Sequence, residues 1–177
     1  SSRKTPPKSN FSVIFQAANV LVAGCGYLGR AVGADLAARG ARVLGLCRSD
    51  ASLEKVRSAG LEPLRADLLD PSSLLTLRQR PLDAVVVCQA PARGESYAAV
   101  YLEATRNLLQ ALRSSTSLSA LPAKSVSPQN NIPRLVFISS TSVYGPRHGG
   151  WVDADTPIDP AVLDEDARTL LETERLV

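Results

Sequence analysis

The sequence predicts a single α/β domain built on a doubly wound parallel sheet of at least five strands in the order 3-2-1-4-5. Short apolar runs alternate with segments of helical period along almost the whole chain. Several runs, such as AVVVC from Ala84 to Cys88, are continuously apolar, as strands covered on both faces require. A glycine-rich turn separates the first apolar run from the first helical segment. Right-handed crossovers then fix the strand order and place the ligand crevice at the carboxyl ends of strands one and four, where the order reverses.

Taken in order, Asn19 to Ala23 is the first strand, Tyr27 to Arg39 a helix stopped by Gly40, and Ala41 to Cys47 the second strand. Asp50 is placed to cap a helix reaching Ala59, with Gly60 ending it, and Leu61 to Ala66 is the third strand. Asp70-Pro71 reads as N-cap and first position of a helix to Gln79. Leu82 to Cys88 is the fourth strand. Glu95 to Arg113 reads as one long helix with Ala99, Leu102, Thr105, Leu108, Leu109 and Leu112 along one side. Residues 114–132, rich in Ser, Pro and Asn, break every period and are expected to form a mobile insertion. Arg134 to Ser139 is the fifth strand, and Pro160 opens a last helix whose apolar face is Leu163, Ala167, Leu170 and Leu171.

Composition narrows the function classes. Hydrophobic residues at 45% and charged residues at 21% describe a soluble globular protein, and no apolar run approaches the ~20 residues of a membrane span. Cys25, Cys47 and Cys88 form no CxxC pair and His148 is the single histidine, so no metal site is expected and a reducing compartment fits. From Trp151 onward there are eight acids and two bases, leaving eighteen bases against nine acids in the first 150 residues. No aromatic-interleaved basic cluster accompanies them, so a phosphate-bearing small molecule is favoured over nucleic acid. Residues 1–18 are basic, free of acids and expected to be flexible. They point to a soluble intracellular protein, cytoplasmic or, from the acid-poor start, residing in a plastid or mitochondrial matrix.

The motif that carries chemistry is Gly24-Cys25-Gly26-Tyr27-Leu28-Gly29, set between first strand and first helix. Gly24 permits the tight turn, Gly26 lets backbone approach a pyrophosphate, and Gly29 allows close helix-to-strand packing. The helix amino end supplies unpaired N–H donors. This is the dinucleotide-binding fingerprint of a Rossmann domain spanning residues 19–177, with Tyr27 and Leu28 counted among the cofactor-binding residues. Where an NAD-specific site places an acidic residue at the end of strand two, this chain has Arg48 and Ser49. They suit a 2′-phosphate, so NADP(H) is favoured over NAD(H).

With GCGYLGR, the strand-three ending Arg65-Ala66-Asp67-Leu68, the helix text YLEATRNLLQAL and the strand-five ending ISSTSVYG, the sequence resembles the short-chain dehydrogenase/reductase superfamily. The match is to its extended branch of sugar-nucleotide epimerases and dehydratases. The resemblance implies that Asp67, with Leu68 beside it, contacts the adenine amino group. It implies that Ala90 and Pro91 line the cofactor's ribose side, and that Ser140 is the catalytic Ser/Thr. It also exposes a departure. The family's YxxxK helix would supply a Tyr acid/base and a Lys, yet no Tyr or Lys occurs between Gly145 and Val177, which resembles the atypical subgroup without that pair. Matching the end of that helix at Glu174 puts Asp166 at the Tyr position and Leu170 at the Lys position. Tyr144 and His148 lie on the preceding loop.

Two readings of function follow. One is an NADP-dependent oxidoreductase or epimerase taking a small molecule or nucleotide sugar; the other is a cofactor-binding, non-catalytic scaffold or assembly subunit. Extended members continue into a substrate subdomain that this sequence lacks. With no methionine anywhere, the sequence is expected to be a fragment. The helix from Glu95 to Arg113 corresponds to the family's dimer-forming helix, although Arg106, Gln110 and Arg113 make no apolar stripe. A homodimer or a larger complex is therefore left open.

Overall fold

The computed structural model describes residues 18–116, 133–146 and 149–177. Five strands, β1 (Asn19–Ala23), β2 (Arg42–Cys47), β3 (Glu62–Arg65), β4 (Ala84–Val87) and β5 (Arg134–Phe137), form one parallel sheet in the order β3-β2-β1-β4-β5, as the sequence predicts. The register pairs Leu21 with Leu44 and with Val85, so β1 is hydrogen-bonded on both sides and lies at the centre.

Alternation along β1 builds two cores at once. Leu21 and Ala23 face a layer completed by Leu46, Leu74, Leu77, Val87 and Leu108. Val20 and Val22 face the opposite layer with Val43, Leu53, Val56 and Leu61. Helices α1 (Tyr27–Ala38) and α2 (Asp50–Ser58) cover the second face, and α3 (Ala104–Thr116) helps cover the first. A third cluster forms where α4 (Glu165–Glu174) brings Ala167, Leu170 and Leu171 against Tyr101, Val143 and Leu163.

Four local departures from the sequence reading have physical causes. The cap of α2 is Ser49, whose hydroxyl accepts from the Ser52 N–H, rather than Asp50. The segment expected as a helix from Asp70 is a 3-10 helix over Ser73–Gln79. Ser73 Oγ is engaged with both the N–H and the carbonyl of Asp67 and with the carbonyl of Asp70, which delays the helix start. Three residues per turn then stack Leu74 directly over Leu77, and both are fully buried.

The long helix opens with π-type turns over Ala98–Glu103 before continuing as α3. The wider turn shifts the buried stripe, so Tyr101 and Ala104 are buried while Ala99 and Leu102 are only half-buried. Thr105, Leu108 and Leu112 keep the expected orientation, and the helix runs on to Thr116, into the segment read as an insertion. Finally, Pro160 opens a 3-10 turn over Pro160–Val162. Leu163 is extended at φ −80 and ψ 142, and Asp164 caps a fresh helix by accepting from the Ala167 N–H. The expected apolar face of Leu163, Ala167, Leu170 and Leu171 is buried as read. Residues 1–17, 117–132 and His148, about which the sequence raised expectations, lie outside the described residues.

Leu108 is fully buried and Leu75 is 48% exposed. Leu108→Ala is expected to lower unfolding free energy by about 2–5 kcal/mol in denaturant titration, and Leu75→Ala by less than about 0.5 kcal/mol.

Candidate dinucleotide site

The turn between β1 and α1 is shaped by what its glycines leave out. Gly24 has φ 76, and a Cβ there would lie 2.6 Å from both Cα and N of Gln89. A Cβ on Gly29 would come within 2.9 Å of the Gly24 carbonyl oxygen and 3.0 Å of Val22 Cγ1. The helix therefore rests directly on β1. Gly26 differs, since the nearest atom to its notional Cβ is 3.9 Å away and the space above it is open. Gly26 is also the N-cap of α1 and offers no side chain, and the first turn holds no acidic residue. Its N–H groups and the positive end of the helix dipole thus face that space without competition from a local carboxylate.

A cleft of about 820 Å³ opens there, across the carboxyl ends of β1, β2 and β4. It is lined by Gly24, Gly26, Tyr27, Leu28, Arg48, Ser49, Asp67, Leu68 and Ala90, nine of the positions singled out in the sequence. Gly29 lies beneath the turn in its packing role. Pro91 lines a second cleft of about 470 Å³ on the other side of the loop that follows β4, together with Arg93, Glu165, Asp166 and Thr169. Asp166 is exposed in the first turn of α4. Ser140 is exposed and lines neither cleft; its hydroxyl caps the 3-10 turn over Thr141–Tyr144 by accepting from the Ser142 N–H at 3.3 Å. Tyr144 is half-buried against the third cluster.

At the end of β2, Arg48 Nη2 lies 2.8 Å from Glu95 Oε1, and the other Glu95 carboxylate oxygen accepts from the Ala92 N–H at 2.8 Å. That backbone N–H and the Arg48 guanidinium together hold the Glu95 carboxyl below its ordinary value, while the same pairing raises Arg48. Asp67 Oδ1 accepts from the Leu69 N–H at 2.9 Å, which fixes the carboxylate at the carboxyl end of β3.

Sequence reasoning passed over Gln89, Glu95 and Ser139. Gln89 is buried at the end of β4, with Nε2 donating to the Val100 carbonyl at 2.7 Å and to Thr105 Oγ1 at 3.0 Å. A polar residue directly after the apolar run VVVC was the available signal. Glu95 carried none, because its partner Arg48 is 47 residues away. The three cysteines, distant in sequence, all line this one cleft. Burial pushes each thiol up, Cys25 to about 11 with the neighbouring Cys47 adding to the effect. Among the described residues no group of three His, Cys, Asp or Glu is arranged to hold a metal.

The family model for the NAD dependent epimerase/dehydratase family matches residues 20–163, which include the named residues of the first cleft but not Glu165, Asp166 and Thr169 of the second. The chain belongs to this family. Among its relatives, protein YeeZ of Escherichia coli K12 is 32% identical over 164 residues, covering 88% of this chain and 51% of that protein. The chain thus spans about half the length of the curated relatives it matches. The UDP-glucose 4-epimerase of Thermus thermophilus, solved with NAD, superimposes at TM-score 0.65 with 25% identity, over 89% of this chain and 49% of that one. A short-chain type dehydrogenase/reductase from Mycobacterium ulcerans shares the fold at TM-score 0.63 and 17% identity, over 92% of this chain and 60% of that one.

The raised thiols give two expected outcomes. At pH 8 a Cys25 value of about 11 leaves roughly a thousandth as thiolate, so alkylation by iodoacetamide of the folded protein is slow and accelerates on unfolding. Because the folded value lies above the reference 9.0, the associated stability is fully present below pH 9. It is lost as pH rises from 9 towards 11, up to about 2–3 kcal/mol. Denaturant midpoints measured across that window are expected to fall, and to fall less in Cys25→Ala.

Proposed function

We propose that this domain binds NADP(H) in preference to NAD(H), and that it forms the nucleotide-holding part of an oxidoreductase or epimerase acting on a small, hydroxyl-bearing molecule of the nucleotide-sugar kind. The observation that carries the cofactor preference is Arg48, half-exposed at the end of β2 and beside the Ser49-capped amino end of α2. A guanidinium and a helix amino end there favour a 2′-phosphate by charge, where an NAD-specific site would present a carboxylate. Gly24, Gly26, Tyr27 and Leu28 would take the pyrophosphate on backbone N–H groups, and Asp67 with Leu68 would take the adenine. Ala90 would border the nicotinamide-side ribose.

A bound nicotinamide supplies hydride transfer, and the chain's own residues would position the reacting carbon and manage its proton. Ser140 is proposed to donate its hydroxyl proton to the substrate oxygen while its Oγ goes on accepting from the Ser142 N–H. Asp166, at the wall of the second cleft, is the proposed proton-carrying group in a helix that offers neither Tyr nor Lys. This is an atypical active site, and substrate and Pro91 would meet on the second-cleft side of the loop.

A second reading is favoured by the same helix. With no Tyr or Lys between Gly145 and Val177, the domain would hold the cofactor as a non-catalytic scaffold or assembly subunit. Among the described residues no helix is long and apolar enough to cross a membrane.

Calorimetric titration tests the cofactor reading. NADPH is expected to bind at least about tenfold more tightly than NADH, and Arg48→Asp to erase the difference. Equal affinities in the unaltered protein would overturn the preference. A substrate-dependent absorbance change at 340 nm supports an oxidoreductase, and an epimeric product separated by chromatography without net change at 340 nm supports an epimerase; tight binding with neither, across a panel of nucleotide sugars, supports the scaffold.

A further inference from the structure

The end of β2 lacks the carboxylate that reads a ribose diol, but the fold brings one to the same place from elsewhere. Glu95 lies in the loop after β4, in a turn closed by its own N–H donating to the Ala92 carbonyl at 3.0 Å, with Gly94 at φ 87. Its two carboxylate oxygens are separately engaged, one by the Ala92 N–H and one by Arg48, both at 2.8 Å. The carboxylate is therefore fixed by backbone geometry and is not merely a long side chain that found a cation. Both partners of the ion pair line the dinucleotide cleft, and the Asp67 charge also acts on Arg48.

We propose that Glu95 is a specificity-determining residue of the cofactor site: it competes with a 2′-phosphate for Arg48, and it accepts a hydrogen bond from the ribose 2′-hydroxyl when the cofactor is NAD(H). The inference rests on the dinucleotide reading given above. A phosphate dianion and a carboxylate placed on the same guanidinium repel each other, so the 2′-phosphate binds Arg48 by displacing Glu95. A diol does the opposite. It donates to the carboxylate and leaves the ion pair standing, so NAD(H) binds without a displacement cost. The cleft thus carries both readers, one per cofactor, coupled through a single ion pair, and Glu95 narrows the preference that Arg48 creates.

The test is Glu95→Gln. The amide oxygen still accepts from the Ala92 N–H, so the turn is kept while the negative charge is removed. Calorimetric affinities for NADPH and NADH are measured on the unaltered protein, on Glu95→Gln and on Glu62→Gln, an exposed carboxylate of β3 paired with Arg80. The expected result is tighter NADPH, weaker NADH and a ratio that moves about tenfold towards NADPH in Glu95→Gln alone. A ratio within about twofold of the unaltered protein overturns the proposal. A shift of equal size in Glu62→Gln also overturns it, by showing a net-charge effect. Failure of the unaltered protein to bind either nucleotide overturns the dinucleotide reading itself and this inference with it, and is distinguishable because no ratio then exists to move.

Discussion

The contact between α1 and β1 is made without a side chain on the helix at its critical point. At Gly29 the helix backbone comes so near the Gly24 carbonyl and Val22 that a single methyl group would force them apart. Because α1 sits this low, its amino end emerges level with the carboxyl ends of β1 and β4, and the first-turn N–H groups open onto the cleft. Gln89 packs just as closely on the other side of the turn, its Cα and N lying 2.6 Å from where a Gly24 Cβ would be. The glycines thus build the site by subtraction, and the apolar layers on either side of the sheet hold the result in place.

Much of this was legible in the chain. The strand order, the turn at Gly24 and the close packing at Gly29 followed from local pattern alone, because period, turn chemistry and crossover handedness are near-neighbour properties. Arg48, Ser49 and Asp67 were found because each stands at the end of a recognisable strand. Two of the misreadings arise where hydrogen bonding departs from the regular α-helical pattern. Ser73 rewires the start of the segment after Asp67, and π-type turns rotate Tyr101 into the position that α-helical spacing gives to Leu102. Neither effect leaves a mark on hydrophobic periodicity.

Glu95 illustrates the deeper limit. No local rule links it to Arg48, because the pairing exists only once β4 has been laid beside β1 and the following loop has folded back over the strand ends. The three cysteines make the same point: scattered in sequence, they share one cleft since each follows or ends a strand pointing there. Desolvation raises all three thiols, which disfavours the thiolate form.

The ion pair across the cleft has a consequence for a cell crowded with phosphate-bearing metabolites. Glu95 is a counter-ion that cannot diffuse away, held near Arg48 at the high effective concentration of a short tether. A free phosphate or an isolated phosphate monoester must compete with it through a single contact. A dinucleotide bound as proposed would bring its pyrophosphate to the glycine turn at the same time, making displacement of the tethered anion an intramolecular exchange. On the proposed reading, stray anions would be excluded without a lid, and the cleft would favour a ligand long enough to engage both of its ends.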